Sequence, residues 1–162
     1  MSEHKNDTKS FDLQEFFPYQ VRVFYRAVSQ SVAEVYTKTH GLTVYQWRVM
    51  VVLGNKQPLS ASEVVEYSSL DKVQVSRAIK GLLNRDFIER RVDSVDKRKV
   101  NLLLTEEGGR VLEELVPLVL KREAEILEGL NPEEKATLEG LMSRVLSNAE
   151  KCFGADKLVE DI

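Results

Sequence analysis

The sequence predicts a mainly α-helical protein carrying one small β-hairpin, and three observations carry that expectation. Apolar residues recur at spacings of three and four towards both ends of the chain, the period of a helix buried along one face. Short patterns of a polar residue followed three positions later by Glu or Gln stand before such runs, and each is a helix-start signature. Between residues 87 and 104, two segments of β-branched and large apolar residues flank a seven-residue polar loop. Two short helices followed by that hairpin make the order of a winged helix-turn-helix, with long helices on either side.

Taken in order, residues 1–10 are polar and read as a flexible tail, as do residues 154–162. Over residues 11–39, Phe17, Val21, Phe24, Val28, Val32 and Val35 give one long amphipathic helix. Pro18 falls inside it, so either the helix begins near Pro18 or a short turn precedes it. Gly41 suits its end. Thr43 and Gln46 form a capping-box pattern opening a second helix to about Leu53, with Trp47, Met50, Val51 and Leu53 inward. Residues 55–58 are a loop. Ser60 and Glu63 open a short helix over residues 61–67, and residues 68–70 turn the chain.

Asp71, with Gln74 three positions on, caps the next helix. There Val75, Ala78, Ile79, Leu82 and Leu83 share a core face, while Lys72, Gln74, Ser76, Arg77 and Lys80 lie off it. Residues 84–86 end this helix without a glycine. Residues 87–92 and 100–104 are the strands. Thr105 caps a long helix from Glu106 to about Leu130, with acidic residues in its first turn to suit the dipole and a kink expected at Pro117. Asn131, Pro132 and Glu134 supply cap, N1 proline and N3 glutamate for a last helix to about Glu150.

Bulk properties exclude several classes of function. A chain of 162 residues with 43% hydrophobic and 30% charged residues suits one soluble globular domain. No apolar run approaches the ~18 residues of a spanning helix, so no membrane partner is expected. The N-terminal ten residues lack the apolar core of a signal peptide, and the single cysteine, Cys152, forms no intrachain disulfide; a cytoplasmic location is the simplest expectation. His4 and His40 belong to no ligand-spaced cluster, so no metal and no cofactor is expected. No nucleophile–base motif and no phosphate-cradling glycine loop is present, and an enzyme is not expected.

Charge is distributed unevenly. Residues 72–99 hold nine Lys or Arg and four Asp or Glu, a local charge of +5 in a chain of −3, so the remainder sums to −8. A basic island in an acidic protein is the footprint of one face meeting a phosphate backbone. The bland alternative for any single Lys or Arg is a solvated surface charge.

The hairpin carries Asp96, Arg98, Leu104, Thr105 and Gly108 in the spacing Asp-x-Arg, five residues, Leu-Thr, two residues, Gly. With the preceding helix and the strand Phe-Ile-Glu-Arg-Arg, this resembles the MarR family of bacterial transcription regulators over residues 11–150. The resemblance implies a homodimer whose terminal helices interlock, a recognition helix in the major groove of double-stranded DNA, and a wing in the adjacent minor groove. It assigns Lys72, Val73, Gln74, Ser76, Arg77 and Lys80 to the recognition helix. Arg98 matches the arginine that reaches the minor groove, Asp96 the carboxylate that orients it, and Lys97 lies between them. The chemistry is suitable: an arginine fork reads guanine, a glutamine amide reads adenine, and lysine meets phosphate as a point charge. A narrow minor groove attracts a wing arginine.

A homodimer is expected from the core as well. Leu138, Leu141, Met142, Val145 and Leu146 make one stripe and Val21, Phe24 and Val28 another, more apolar surface than a small winged helix covers; intrachain packing is the competing account. Two-fold symmetry implies a pseudopalindromic operator with half-sites roughly 34 Å apart.

Family members often bind an aromatic acid, or in one branch its coenzyme A thioester, between the dimer helices and the DNA-binding lobe. The run FPYQVRVFYR at residues 17–26, with YQWR at residues 45–48, is similar to the branch that represses aromatic-acid catabolism. By that resemblance Arg22, Arg26 and Arg48 meet a carboxylate or phosphates, and Tyr19, Tyr25 and Trp47 stack on a ring. Aromatics at helical spacing also serve as plain core. Family members that sense peroxides do so through a cysteine near the N-terminus; this chain has none there, and Cys152 is read as an incidental thiol.

The reading is a transcription regulator, a repressor released by a small organic effector. Residues 43–105 form the winged helix-turn-helix, and residues 11–40 and 106–150 the dimerisation region. A winged helix used as a protein-interaction module, or a DNA-binding protein without ligand control, are the alternatives.

Overall fold

The computed structural model describes residues 11–93 and 96–153; the two tails read from the sequence lie outside the described residues. The chain runs α1 (Phe17–His40), α2 (Val44–Lys56), α3 (Ala61–Ser68), α4 (Lys72–Leu83), β1 (Ile88–Val92), β2 (Val100–Leu104), α5 (Glu106–Ile126) and α6 (Pro132–Phe153). The strands pair antiparallel with Ile88 opposite Leu104 and Val92 opposite Val100. The order is the one the sequence predicts.

Local chemistry sets most of the boundaries. Pro18 stands in the first turn of α1, where its missing N–H costs nothing, and Phe16 takes the N-cap position. The apolar residues before it therefore do not extend the helix to residue 11, and residues 13–15 form a turn. Gly41 ends α1 in the left-handed conformation, φ 62°. The three predicted capping boxes form at Thr43–Gln46, Ser60–Glu63 and Asp71–Gln74. Asn131 and Glu134 bond reciprocally at the start of α6.

Several boundaries differ from expectation: α2 and α6 each run three residues past their expected ends, to Lys56 and Phe153. β1 begins at Ile88 because the Phe87 N–H turns back to the Leu82 carbonyl at 3.1 Å, although the Phe87 carbonyl still accepts the Thr105 N–H in the register of the hairpin. α5 runs through Pro117 but stops at Ile126, and the following turn carries Gly129 at φ 88°. The loop before α3 also contributes to the sheet: Leu59 and Leu102 exchange both backbone hydrogen bonds, adding a one-residue third strand to the hairpin.

The core sits beneath α2 and α4. Val49, Met50, Leu53, Val64, Val75, Ile79, Leu82, Ile88 and Leu102 are buried there, joined by Tyr36 and Leu42 from the end of α1 and Val111 and Leu115 from α5. Val49 is more deeply buried than the expected Trp47 and Val51, which are half-buried. The first half of α1, residues 17–27, is exposed throughout, and α6 buries no residue. Leu141, Met142, Val145 and Leu146 face outward on α6, and Val21 and Phe24 on α1. Among the described residues no helix is long and apolar enough to cross a membrane, and no side-chain group is arranged to hold a metal ion.

Candidate nucleic-acid interface

Helix α4 is fixed on one side and bare on the other. Val75, Ala78, Ile79 and Leu82 anchor it in the core. Its N-terminus is set by Asp71, whose carboxylate accepts the Gln74 N–H at 2.7 Å. Behind it, a glycine gap allows close approach to α2, since a Cβ on Gly81 would stand 2.4 Å from the Gln46 amide nitrogen. Lys72, Val73, Ser76, Arg77 and Lys80 are all exposed. At 100° per residue they span about 140° of the helix surface, turned away from the core. Three cations on one face, with no carboxylate between them, form a surface suited to phosphate and base edges.

Gln74 departs from the sequence expectation. It is half-buried, and its side-chain carbonyl accepts the Asp71 N–H at 3.3 Å, so it serves the helix start rather than the outward face. The spacing that makes a residue N3 of a cap turns it back towards that cap.

The wing is braced by carboxylates. Asp93 accepts the Asp96 N–H at 2.9 Å and the Asn101 side-chain amide at 3.0 Å, while its own N–H reaches the Lys99 carbonyl at 3.0 Å. Asp96 accepts the backbone N–H of Arg98 at 3.1 Å. Asp96 therefore shapes the turn that presents Arg98 through its backbone N–H, with no ion pair to its guanidinium among the described residues. Lys97, Arg98 and Lys99 all reach solvent. In β1, Arg91 pairs with Glu89.

Arg90 belongs to this face, although sequence reasoning did not single it out. It lies two residues after buried Ile88, on the same side of β1, and reaches the rim of a groove between α3 and α4. That groove, of about 330 Å³, is lined by Ser62, Lys72, Ser76, Ile79 and Arg90 among others. The period-two alternation of the strand was the available signal.

A second feature lies where α1, α2 and α6 meet. An apolar groove of about 450 Å³ is lined by Phe24, Tyr25, Val28, Tyr36, Trp47, Arg48 and Met142. Arg48 donates to the Tyr25 hydroxyl at 3.5 Å, and Trp47 stacks on Tyr36 with ring centroids 5.2 Å apart. Burial pushes the Tyr36 phenol above its ordinary value of 10, with the Arg48 charge acting in the opposite direction. Of the six residues expected at a ligand, the structure thus brings together Tyr25, Trp47 and Arg48. Tyr19, Arg22 and Arg26 do not line the groove and are exposed. One face of Trp47 is already taken by Tyr36. A further groove of about 530 Å³ continues along α1, α5 and α6, sharing Phe24, Val28, Val32 and Met142.

Comparison with known proteins places this geometry in context. Residues 40–99 match the model of the MarR family. The chain is 31% identical over 90 residues to the HTH-type transcriptional regulator YwaE of Bacillus subtilis, covering 56% of this chain and 53% of YwaE. It is 29% identical to the HTH-type transcriptional repressor YetL of the same organism, covering 64% of each. It is also 31% identical to the regulator YybA, over 75% of this chain and 81% of YybA. The match thus spans just over half of the first relative and under two thirds of the second. Among solved structures, BpsR of Bordetella bronchiseptica, described with the regulation of its DNA binding by 6-hydroxynicotinic acid, superposes with a TM-score of 0.75 at 25% identity, over 83% of this chain and 96% of that one. A MarR/EmrR family regulator from Acinetobacter sp. ADP1 gives 0.77 at 26% identity, over 87% and 99%.

Proposed function

This chain belongs to the MarR family, and on that premise we propose that it is a sequence-specific DNA-binding transcription regulator, a homodimeric repressor released from its operator by a small organic acid. One observation carries the reading: the bare cationic face of α4 stands beside a braced wing whose Arg98 guanidinium has no ion pair among the described residues.

In this reading Arg77 reads a base edge in the major groove, Val73 meets a thymine methyl, and Lys72, Ser76 and Lys80 contact phosphates or neighbouring bases. Arg90 adds a positive charge at the start of α4. Arg98 enters the minor groove with Lys97 beside it, and Asp96 keeps the turn in shape. Gln74 supports the helix start and is not assigned to base readout. Residues 43–105 are the reading head. Residues 11–40 and 106–150 join two copies, covering the exposed faces of α1 and α6 and giving a pseudopalindromic operator. Acting on DNA, the protein works in the cytoplasm.

The groove at Tyr25, Trp47 and Arg48 suits a small aromatic acid: an apolar wall for the ring and a half-buried guanidinium for the carboxylate. The regulation of BpsR by 6-hydroxynicotinic acid supports the same class of effector. A differential affinity of roughly 3 kcal/mol between two dimer states changes occupancy more than a hundredfold.

The test is fluorescence anisotropy on a duplex selected by the protein from a random-sequence pool, at low and high salt. Tight binding with a steep salt slope is expected. No affinity for any duplex overturns the reading and leaves a protein-interaction module. Thermal shift with a panel of aromatic acids then tests the effector, since a ligand specific to the folded state raises the melting temperature.

A further inference from the structure

The turn that follows α4 is tied to the end of α1 by one side chain. Arg85 donates from Nη2 to the His40 carbonyl at 2.6 Å and from Nη1 to the Gly41 carbonyl at 3.4 Å. Its guanidinium carbon also lies 4.5 Å from the centre of the Phe87 ring. The nearer acceptor is the carbonyl of the last residue of a 24-residue helix, where the aligned peptide dipoles gather partial negative charge, and the second is that of its C-cap, Gly41. Arg85 therefore caps α1 from a position 44 and 45 residues further along the chain.

On its opposite side the same turn is held by the start of α5. The Asp86 carbonyl accepts the Thr105 hydroxyl at 2.6 Å, and the Phe87 carbonyl accepts the Thr105 N–H at 3.1 Å. Helices α1 and α4 share little direct packing of their own. The guanidinium is thus a direct polar link between the helix offered for dimerisation and the end of the helix offered for reading DNA. Tyr36, on the floor of the groove with Trp47, lies one turn before that link, and its carbonyl accepts the Leu42 N–H at 3.1 Å.

We infer that Arg85 is a positioning residue: it fixes where α4 stands relative to α1, and so sets the separation of the two reading heads. The inference rests on the DNA-binding dimer proposed above. Arg85 touches no DNA in this account. Its loss lets each α4 drift relative to its own dimer helix, while each head keeps its contact surface.

The probes are the bipartite duplex selected by wild-type protein, the same duplex with one base pair added or removed between half-sites, and a single half-site. One base pair shifts a half-site by about 3.4 Å and turns it around the duplex axis, so the wild type discriminates sharply among the spacings. For Arg85→Ala we expect at least tenfold weaker binding to the bipartite duplex and a flattened spacing preference. Half-site affinity and salt slope stay within about twofold of wild type. Arg85→Lys, which keeps one charged donor, restores part of the spacing preference, and it serves as the test variant if the alanine variant does not fold by circular dichroism. Parallel losses on half-site and bipartite duplex with a shallower salt slope would make Arg85 a phosphate contact and overturn the inference. Unchanged spacing preference in the folded variants overturns it as well. Failure of the wild type to bind any duplex instead removes the regulator reading beneath it.

Discussion

Gly108, in the first turn of α5, lies directly against the backbone of Phe87: a Cβ there would stand 1.9 Å from the Phe87 carbonyl oxygen and 2.8 Å from its carbon. That carbonyl is already bonded to the Thr105 N–H, and the Thr105 hydroxyl accepts the Gly108 N–H while donating to Asp86. The Leu-Thr-x-x-Gly part of the motif is therefore a joint between α5 and the turn after α4. Its neighbour Gly109 has nothing within 4 Å of a built Cβ. The two glycines should respond with opposite signs. Gly108→Ala forces backbone apart and should cost at least about 2 kcal/mol, beyond the ~1 kcal/mol that alanine returns in a helix. Gly109→Ala should stabilise by up to ~1 kcal/mol. Urea midpoints of both variants decide; a stable Gly108→Ala protein would mean the joint is loose.

Asp86 occupies a left-handed conformation, φ 53°, in the same turn. A side chain pays about 1 kcal/mol there, less for aspartate than for most residues, and glycine pays none. Asp86→Gly should raise the urea midpoint at unchanged slope, because the contact to Thr105 uses the Asp86 carbonyl and survives. Asp86→Ala keeps the strain without polar compensation and should lower it. Identical midpoints for the two variants would show that the conformation carries no cost.

What the sequence made legible was local. Thr43–Gln46, Ser60–Glu63, Asp71–Gln74 and Asn131–Glu134 each join residues three apart, so their chemistry appears within one turn of helix. The +5 segment and the Asp96–Arg98 pair were visible for the same reason. The long-range joints were not: Arg85 meets His40, Thr105 meets Asp86, and Leu59 meets Leu102 only after the chain has folded back. Gln74 shows a different limit, since cap and outward face made equal claims on one side chain until geometry assigned it. The groove residues were partly recoverable. At 100° per residue, Tyr19 and Arg26 lie some 100–120° around α1 from Tyr25, so a helical wheel separates them.

Acid should weaken the α3 cap. The Ser60 hydroxyl and N–H both donate to the Glu63 carboxylate, at 2.6 and 2.7 Å, and hold its pKa below the ordinary 4.5. A carboxylate depressed on folding contributes stability above its unfolded pKa and loses it as the pH falls from about 4.5 through the folded value. Glu107, lowered by its hydrogen bond from Arg110, titrates in the same direction. Glu63→Gln keeps an acceptor for the Ser60 N–H but cannot titrate. Wild type should be the more stable at neutral pH, and the difference should narrow as the pH falls below 4.5. A gap that persists unchanged in acid would remove Glu63 from the titration.

Helix α6 buries nothing in the single chain, yet presents Leu141, Met142, Val145 and Leu146 on its surface. These side chains are about half exposed, so covering each is worth roughly 1 kcal/mol, which a second copy can supply. Wild-type protein should scatter light with twice the 18.5 kDa chain mass. Met142→Glu with Leu146→Glu should give a monomer with a lower melting temperature and lost bipartite-operator binding. A double variant that remains dimeric places the interface elsewhere.

Arg98→Ala isolates the wing guanidinium. Asp96 accepts the backbone N–H of residue 98, which alanine retains, and Asp93 continues to brace Asp96 and Asn101. The turn therefore keeps its shape and the dimer is untouched. Losing an arginine from a narrow minor groove should cost about 1–3 kcal/mol, a Kd weaker by about five- to 160-fold, with the salt slope reduced by about one. Asp96→Ala acts differently: it removes the acceptor for the Arg98 N–H, loosens the turn, and should weaken binding while Arg98 is still present. Anisotropy titrations of the three proteins on one duplex separate the roles. Equal affinity for wild type and Arg98→Ala would take the wing out of the DNA contact and leave recognition to α4 alone.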